Sequence, residues 1–151
     1  NFTIDLKKQL AKLRKQAGSV KSRHGQPKLQ DPVFRHQLAE AEIEAMALEQ
    51  TELRIKGSVS AGGNPGALSS LVKCVGTELG QRFNELSIDA VGQAAIPFHP
   101  SSLDPRYDGS TPAPDYALTS MAEYINNRAA TIYGGTAEIQ RTIIAKQILK
   151  L

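Results

Sequence analysis

Apolar residues recur at steps of three and four positions along nearly all of the 151-residue chain, and no stretch keeps a period of two. Steps of three and four put apolar side chains on one face of an α-helix, whereas strict alternation is typical of a half-buried strand. The pattern therefore predicts an all-α fold. Glycine and proline signals divide that fold into five helices.

The first two predicted helices lie on either side of a basic loop. The first begins after Thr3 as its N-cap and ends at Gly18. The second begins at Asp31-Pro32, because aspartate caps free amides and proline suits the first helical position, and it ends at Gly62-Gly63. The predicted core positions of these helices are Leu6, Leu10, Leu13 and Ala17, then Phe34, Leu38, Ala41, Ala45 and Leu48, with Ile43, Met46 and Leu53 widening the second stripe.

The third predicted helix begins at Asn64-Pro65, which repeats the start signal of the second. Since both long helices mix small and large apolar residues, we expect them to pack closely and antiparallel. Residues 92–114 then hold five prolines, and a loop of that length more often serves a function or an interface than a simple connection. The predicted core positions of the third helix are Leu68, Leu71, Val75, Leu79, Phe83, Leu86 and Ala90.

Two further helices meet at a short junction near the C-terminus. Asp115 is predicted to cap the fourth helix, which ends at Gly134-Gly135. Thr136 is predicted to cap the fifth, with Glu138 in its first turn. Their predicted core positions are Leu118, Met121, Ile125, Ala129 and Ile132, then Ile139, Ile143, Ile144, Ile148 and Leu151.

The junction Tyr133-Gly134-Gly135-Thr136 is the most informative candidate site. Two adjacent glycines remove both side chains at a helix N-terminus and leave bare backbone amides with a favourable dipole. Such a place suits an anion or a flat ring that approaches the backbone closely. The alternative is that the paired glycines only let the chain turn between two helices.

The charge is distributed unevenly. Residues 1–36 contain nine Lys/Arg and two Asp/Glu, whereas residues 37–151 contain nine and thirteen. The basic end is interpreted either as a solvated helix face with a loop or as a surface facing phosphates or an acidic partner. Nucleic acid is disfavoured, because only Phe2 and Phe34 interleave the basic residues; a nucleic-acid binder would bind DNA through residues 7–35 with a steep salt dependence.

Several other function classes are disfavoured. No apolar run approaches the roughly 18 residues that would span a bilayer, and the N-terminus lacks the apolar stretch of a secretory signal. The single cysteine, Cys74, has no partner for an internal disulfide, which favours a cytoplasmic location. Three scattered histidines (His24, His36 and His99) and a glutamate-rich second helix without Glu-x-x-His pairs predict no metal site.

The segment of residues 128–151, RAATIYGGTAEIQRTIIAKQILKL, resembles the C-terminal signature of acyl-CoA dehydrogenases, in which a Tyr-x-Gly-Thr-x-x-Ile turn precedes the last helix. Residues 38–54 and 69–92 resemble the paired helices of the same domain, particularly in bacterial branches. The resemblance implies an up-down four-helix bundle with an additional helix. It also implies that residues 1–151 are the third domain of a flavoenzyme whose N-terminal helical and middle β domains are absent here.

The resemblance implies specific contacts as well. In the family, FAD binds where the β domain meets this bundle and a neighbouring subunit. By position, Thr136 and Glu138 would contact FAD, and Gly135 would lie beside the thioester of the acyl-CoA. At the end of the third helix, Gly92 and Gln93 would meet the adenine side of FAD from the partner subunit, although the family commonly has two glycines there.

The chain departs from the family where catalysis is concerned. The reaction needs a carboxylate of raised pKa to take the α-proton while a hydride leaves the β-carbon. In much of the family this glutamate stands at the position of Gly134, and in another branch it comes from the first helix, at a place that would fall before Asn1. We therefore name no catalytic base. The Arg-x-x-Phe-Gly motif that is usual near Gly25 is altered too, with Arg23 and His24 in its place.

Two hypotheses follow from these observations. The first is the FAD- and subunit-contacting domain of an acyl-CoA dehydrogenase that oxidises an acyl-CoA to the trans-2-enoyl product, inactive alone, with electron-transfer flavoprotein as partner and a dimer or tetramer as its assembly. The second is a non-catalytic helical oligomerisation module derived from that fold, which the absence of glutamate at position 134 would allow.

Overall fold

The computed structural model describes residues 2–21, 25–109 and 113–151 and is built from helices. The all-α prediction is confirmed. Asn1, Arg23, His24 and Pro112 lie outside the described residues. The α-helices are α1 (Phe2–Ser19), α2 (Pro32–Ser60), α3 (Leu68–Val91), α4 (Ser120–Asn127) and α5 (Ala137–Ile144). Short 3-10 segments are Lys28–Gln30, Gly92–Ala95, Pro100–Leu103 and Arg128–Thr131, and Ala145–Leu149 is π-helical.

Ion pairs between helices establish that α1 and α2 are antiparallel. Lys7 near the start of α1 pairs with Glu49, and Arg14 one to two turns later pairs with Glu42 at 2.6 Å. As residue numbers rise along α1, the residue numbers of the partners on α2 fall, so the two helices run in opposite directions. Several cations of the basic N-terminal segment therefore form ion pairs between helices. This favours the interpretation that the segment is a solvated helix face with a loop over the interpretation that it binds phosphates.

The other contacts of α1 complete the topology. The ring of Phe2 lies against Gly76 and Gln16 accepts a hydrogen bond from Ser87, so α1 and α3 run parallel. Lys12 pairs with Glu123 of α4, while Gln16, one turn further along α1, bonds Ser120 at the start of α4. The four helices thus alternate in direction. α5 packs on the outer side of α3, and the predicted up-down bundle with an additional helix is confirmed.

The start of α2 is the clearest match between sequence and structure. Oδ1 of Asp31 accepts hydrogen bonds from the backbone N–H groups of Val33 (2.9 Å) and Phe34 (3.4 Å), and Pro32 occupies the first turn. The apolar residues predicted to face the core from the first three helices largely do so. The buried core consists of Leu6, Leu13, Ala17, Phe34, Leu38, Ala41, Ala45, Leu48, Val72, Leu79, Phe83, Leu86 and Ala90.

Two predicted N-caps are wrong because their side chains are used differently. Thr3 is buried inside α1, and its hydroxyl donates to the carboxylate of Glu52 on α2. Asn64 accepts a hydrogen bond from the N–H of Gly66 at 2.9 Å, which closes a local turn, and α3 begins only at Leu68. Asparagine side chains stabilise such turns as readily as they cap helices.

The fourth helix is much shorter than predicted. Asp115 is exposed in a series of turns, and α4 begins at Ser120. After Asn127 the chain tightens into the 3-10 segment Arg128–Thr131 before it reaches the glycine pair. The predicted cap at Asp115 is therefore wrong, although the end of this helical region before Gly134 was expected.

Many apolar residues predicted to lie in the core are exposed. A periodic pattern identifies the apolar face of a helix but does not say whether the same chain covers that face. On α2 an exposed row is formed by the residues that widened the predicted stripe, Ile43, Met46 and Leu53. The exposed residues are Ile43, Met46, Leu53, Leu68, Ile125, Ala129, Ile132, Ile139, Ile148 and Leu151. Within the described part of the chain, no helix is both long enough and apolar enough to cross a membrane.

The capping carboxylate of Asp31 leads to a prediction about pH. The ammonium of Lys28 and the backbone N–H of Phe34 lower the pKa of Asp31. A lowered pKa means that its stabilising effect is complete above the ordinary aspartate pKa of about 3.9 and is lost as the pH falls through the folded-state value. We expect Asp31→Asn, which keeps a capping oxygen, to be more stable at pH 7 than Asp31→Ala.

Urea unfolding at pH 7 and pH 3 measures this effect. The stability difference between wild type and Asp31→Asn should shrink at pH 3, because below the ordinary aspartate pKa the unfolded chain takes up the proton more readily than the folded chain. A difference that stayed constant between the two pH values would contradict a role for the charge.

Candidate functional site

The glycine junction is open to solvent. Gly134 and Gly135 have φ angles of +66° and +92°, in the left-handed region that side chains other than glycine rarely adopt. Both are exposed, and a Cβ at Gly134 would meet no atom within 4 Å. A Cβ at Gly135, by contrast, would clash with the side-chain amide of Gln140, so the junction is at the surface but that side chain lies against Gly135.

Thr136 and Glu138 lie together on the first turn of α5. The Thr136 hydroxyl accepts a hydrogen bond from the N–H of Ile139 at 3.3 Å, so the predicted N-cap is confirmed. The backbone N–H of Glu138 itself and the Thr136 hydroxyl lower the pKa of the Glu138 carboxyl. This carboxylate is ionised near neutral pH and stands at the positive end of the helix, next to the glycine pair.

A cavity of about 440 Å3 opens beside the same junction. It lies between α1, α3 and the segment from Asn127 to Gly134, and we call it the α1–α3 slot. Its wall is mixed: it contains apolar or side-chain-free positions (Phe2, Leu6, Gly76, Gly80 and Ala130) and polar ones (Asp5, Gln9, Lys73, Thr77 and Asn127). The Oε1 atom of Gln9 is buried there without a hydrogen-bond partner in the described part of the chain. Tyr133 and Gly134 line it where it meets the junction.

The second predicted cofactor group lies at the other end of α3. Gly92 has a φ of +69° and ends α3, and Gln93 follows in a 3-10 turn; both are exposed. Nearby, the ammonium of Lys28 bridges Asp31 at 3.1 Å and Asp89 at 3.4 Å. The neighbourhood of Gly92 is therefore polar and charged, whereas the wall of the slot is mixed.

The structure does not bring the two predicted cofactor groups together within one chain. The thiol of Cys74 lies 3.9 Å from the carbonyl of Ala137, so the start of α5 packs near residue 74 of α3. From Cys74 to Gly92 the helix rises about 27 Å at 1.5 Å per residue. Thr136 and Gly92 consequently face different surroundings.

The remaining reactive groups do not form a site. Cys74 is 5 % exposed, as its place on the apolar stripe predicted, and burial raises the pKa of its thiol. A neutral, enclosed thiol is a poor nucleophile. Across the described ranges 2–21, 25–109 and 113–151, no three His, Cys, Asp or Glu side chains cluster so as to hold a metal ion.

Sequence reasoning missed the glycines of α3 against which Phe2 and Asn127 pack. Gly76 and Gly80 stand one helical turn apart on α3, and Ala130 closes the far side with a single methyl group. A glycine in a helix interior costs about 0.5–1 kcal/mol relative to alanine, so a pair at this spacing is a signal of close approach by another group. The spacing of the two glycines can be read from the sequence, but the residues that pack against them cannot.

The sequence matches the model of the acyl-CoA dehydrogenase C-terminal domain over residues 9–149. No curated protein sequence matches it significantly.

Solved structures of larger proteins share its fold. The FAD complex of PigA superposes on 97 % of this chain with a TM-score of 0.75 at 18 % sequence identity. The ChsE4–ChsE5 complex from Mycobacterium tuberculosis superposes on 97 % with a TM-score of 0.74 at 24 % identity, and the electron transferring flavoprotein of Acidaminococcus fermentans on 97 % with a TM-score of 0.67 at 15 % identity. The superposed part is 33 %, 35 % and 33 % of those chains, so this chain spans about a third of their length.

Proposed function

This chain belongs to the acyl-CoA dehydrogenase C-terminal domain family, and from that premise we propose that it is the FAD- and subunit-contacting domain of an enzyme that oxidises an acyl-CoA to a trans-2-enoyl-CoA. The observation that carries the proposal is the open glycine junction at the start of α5. A junction sealed inside the bundle would have offered no backbone amide to a cofactor. Instead, Gly134 and Gly135 expose the N-terminus of the helix.

The residues of the junction fit a flavin. A flat ring that approaches the backbone closely needs positions without a Cβ. Gly134 provides one, because nothing lies within 4 Å of the place of its Cβ, whereas the Gln140 side chain would have to move away from Gly135. The positive end of α5 favours electron-rich groups, and two of its first-turn N–H groups already bond side chains: that of Glu138 its own carboxylate and that of Ile139 the Thr136 hydroxyl. In the proposal Thr136 and Glu138 contact FAD, and Gly135 lies beside the thioester. FAD, when bound, would accept the hydride that leaves the β-carbon of the substrate.

The proposal also requires a second subunit. Gly92 and Gln93 are too far along α3 to share a cofactor with Thr136 of the same chain, so in the proposal they meet the adenine side of FAD held by a partner subunit. The exposed row on α2 supplies an apolar surface for association: Ile43 is 66 % and Met46 is 64 % exposed. Rows of this kind mark protein contacts. We propose a homodimer or homotetramer.

The proton-abstracting base is not assigned to this chain. Gly134 occupies the position that holds the base in much of the family and has no side chain to titrate. The base and most of the flavin pocket are therefore proposed to lie outside residues 1–151, and electron-transfer flavoprotein is proposed as the electron acceptor. The cytoplasmic location stays a prediction.

The test is to purify the protein from its whole open reading frame and to measure bound flavin by its visible absorbance. We expect a yellow protein in the wild type. Thr136→Asp should lower the FAD-bound fraction at least five-fold, because aspartate still caps α5 but places a negative charge beside the cofactor. Thr51→Asp, at a threonine whose hydroxyl donates to the Ala47 carbonyl within α2, should retain FAD.

The alternative function makes the opposite prediction. If the chain is a non-catalytic oligomerisation module, the purified protein will be a stable oligomer without visible flavin absorbance. Equal flavin content in Thr136→Asp and Thr51→Asp would likewise contradict the assignment of Thr136 to the cofactor.

A further inference from the structure

We propose that the side-chain amide of Gln140 contacts FAD at the glycine junction, in addition to Thr136 and Glu138. The proposal rests on the proposed function, because it concerns the same cofactor at the same place. It goes further by assigning a cofactor contact to a side chain outside the residues that the family resemblance implies. The observation that carries it is the close approach of this amide to Gly135.

Gln140 lies on the same face of α5 as Thr136. The two residues are one helical turn apart, and the backbone N–H of Gln140 donates to the Thr136 carbonyl at 3.0 Å. Long side chains on a helix point back toward its N-terminus and cover the preceding turn. The side chain of Gln140 therefore extends over the junction, toward the residues that are proposed to meet the cofactor.

The amide of Gln140 lies directly against the backbone of Gly135. A Cβ at that glycine would overlap Nε2 of Gln140 and would lie 3.7 Å from its Cδ. Only a residue without a side chain leaves room for the amide there. The second glycine of the pair thus has two reasons to be glycine: its φ of +92° and the amide that packs on it.

This amide is available to a ligand. Gln140 is partly exposed, and no residue in the described part of the chain forms a hydrogen bond with its side chain. A primary amide offers two N–H donors and one carbonyl acceptor. By contrast, the Thr136 hydroxyl caps Ile139 at 3.3 Å, and the Glu138 carboxylate bonds its own backbone N–H. The Gln140 amide is therefore a neutral group at the junction that keeps its donors for a cofactor.

An amide in this place can either obstruct a ligand or bind it, and the two roles have opposite consequences. If it obstructs, removing the side chain would strengthen FAD binding. If it binds, the side chain rotates away from Gly135 and donates to a carbonyl, hydroxyl or phosphate oxygen of FAD, and its removal weakens binding. Binding is favoured, because a net hydrogen bond stabilises by more than the few van der Waals contacts with Gly135 that the rotation gives up.

Titration of the flavin-free whole protein with FAD tests the contact. Gln140→Met keeps a side chain of similar length without the amide, and Gln140→Ala removes both. Each should raise the dissociation constant for FAD at least three-fold, since one net hydrogen bond corresponds to about two- to twelve-fold in affinity. Gln147→Met is the matched control at an exposed glutamine of the π-helical segment after α5, and it should leave the constant unchanged.

The flavin-free variants should melt at the wild-type temperature, because no described residue is bonded to the Gln140 side chain. Weaker FAD binding that occurs only together with a lower melting temperature would contradict the contact. Tighter binding by Gln140→Ala would overturn it and identify the side chain as an obstruction. Unchanged constants in both Gln140 variants of a protein that binds FAD would reject the contact while keeping the proposed function. A wild-type protein that takes up no FAD would overturn both.

Discussion

Phe83→Ala is expected to lower the free energy of unfolding by about 3–5 kcal/mol, the range for Phe→Ala in a well-packed core. Phe83 is 2 % exposed and lies in the middle of α3, the helix that contacts α1, α2, α4 and α5. The loss includes the transfer energy of the ring and the cavity that remains. Because a domain of this size is stable by only about 5–15 kcal/mol, the variant should lose a large fraction of its stability.

Urea denaturation followed by circular dichroism measures this loss, and Phe98→Ala provides the control. Phe98 is 51 % exposed in the loop after α3, so the same chemical change should alter stability by less than about 1 kcal/mol. A comparable loss from both variants would mean that α3 is not the centre of the core. An unchanged stability of Phe83→Ala would have the same meaning.

The sequence determined the helical fold and the start of α2 because these features depend on local physics. Capping by Asp31 and the fixed φ of Pro32 act within one turn, and they operate whatever the rest of the chain does. Asn64 and Asp115 failed as caps since the same side chains also stabilise turns. Choosing between a cap and a turn requires knowledge of where the following residues pack.

The exposed row on α2 shows a second limit of predicting buried residues from the sequence. Ile43, Met46 and Leu53 have the spacing of a buried face, and the pattern is real, but this chain does not cover them. Periodicity records that a face is apolar and contains no information about which chain buries it. The failure of the core prediction at these residues is therefore the observation that supports the proposed subunit contact.

The candidate site was also only partly visible in the sequence. The glycine junction and the Thr136 cap follow from adjacent residues, and both were located correctly. The slot depends on Phe2 and Leu6 meeting Gly76 and Gly80 across about 70 positions of sequence. That meeting is set by the parallel packing of α1 on α3, which no local pattern specifies.

Gln16→Leu is the second substitution expected to have a large effect, about 2–4 kcal/mol, because it leaves buried polar groups without partners at about 1–3 kcal/mol each. Gln16 is 3 % exposed; its amide donates to the carbonyl of Tyr116 at 2.7 Å and to Ser120 at 3.2 Å, and its oxygen accepts from Ser87 at 2.8 Å. After the change, the Ser87 hydroxyl has lost this acceptor. The Tyr116 carbonyl retains only the longer 3.4 Å bond from Ser120.

A double-mutant cycle with Ser87→Ala separates this cause from a simple change of packing. Removing both hydrogen-bonding groups costs less than leaving one of them buried without a partner. The double variant Gln16→Leu/Ser87→Ala should therefore regain about 1 kcal/mol of unfolding free energy relative to Gln16→Leu alone. Since Gln16 joins α1 and α3 to the turns before α4, amide hydrogen exchange in α4 and at Gly134 should accelerate more than exchange in the middle of α2. Additive energies in the cycle, or equal acceleration in both places, would contradict the view that this one buried amide holds the segment leading to the glycine junction.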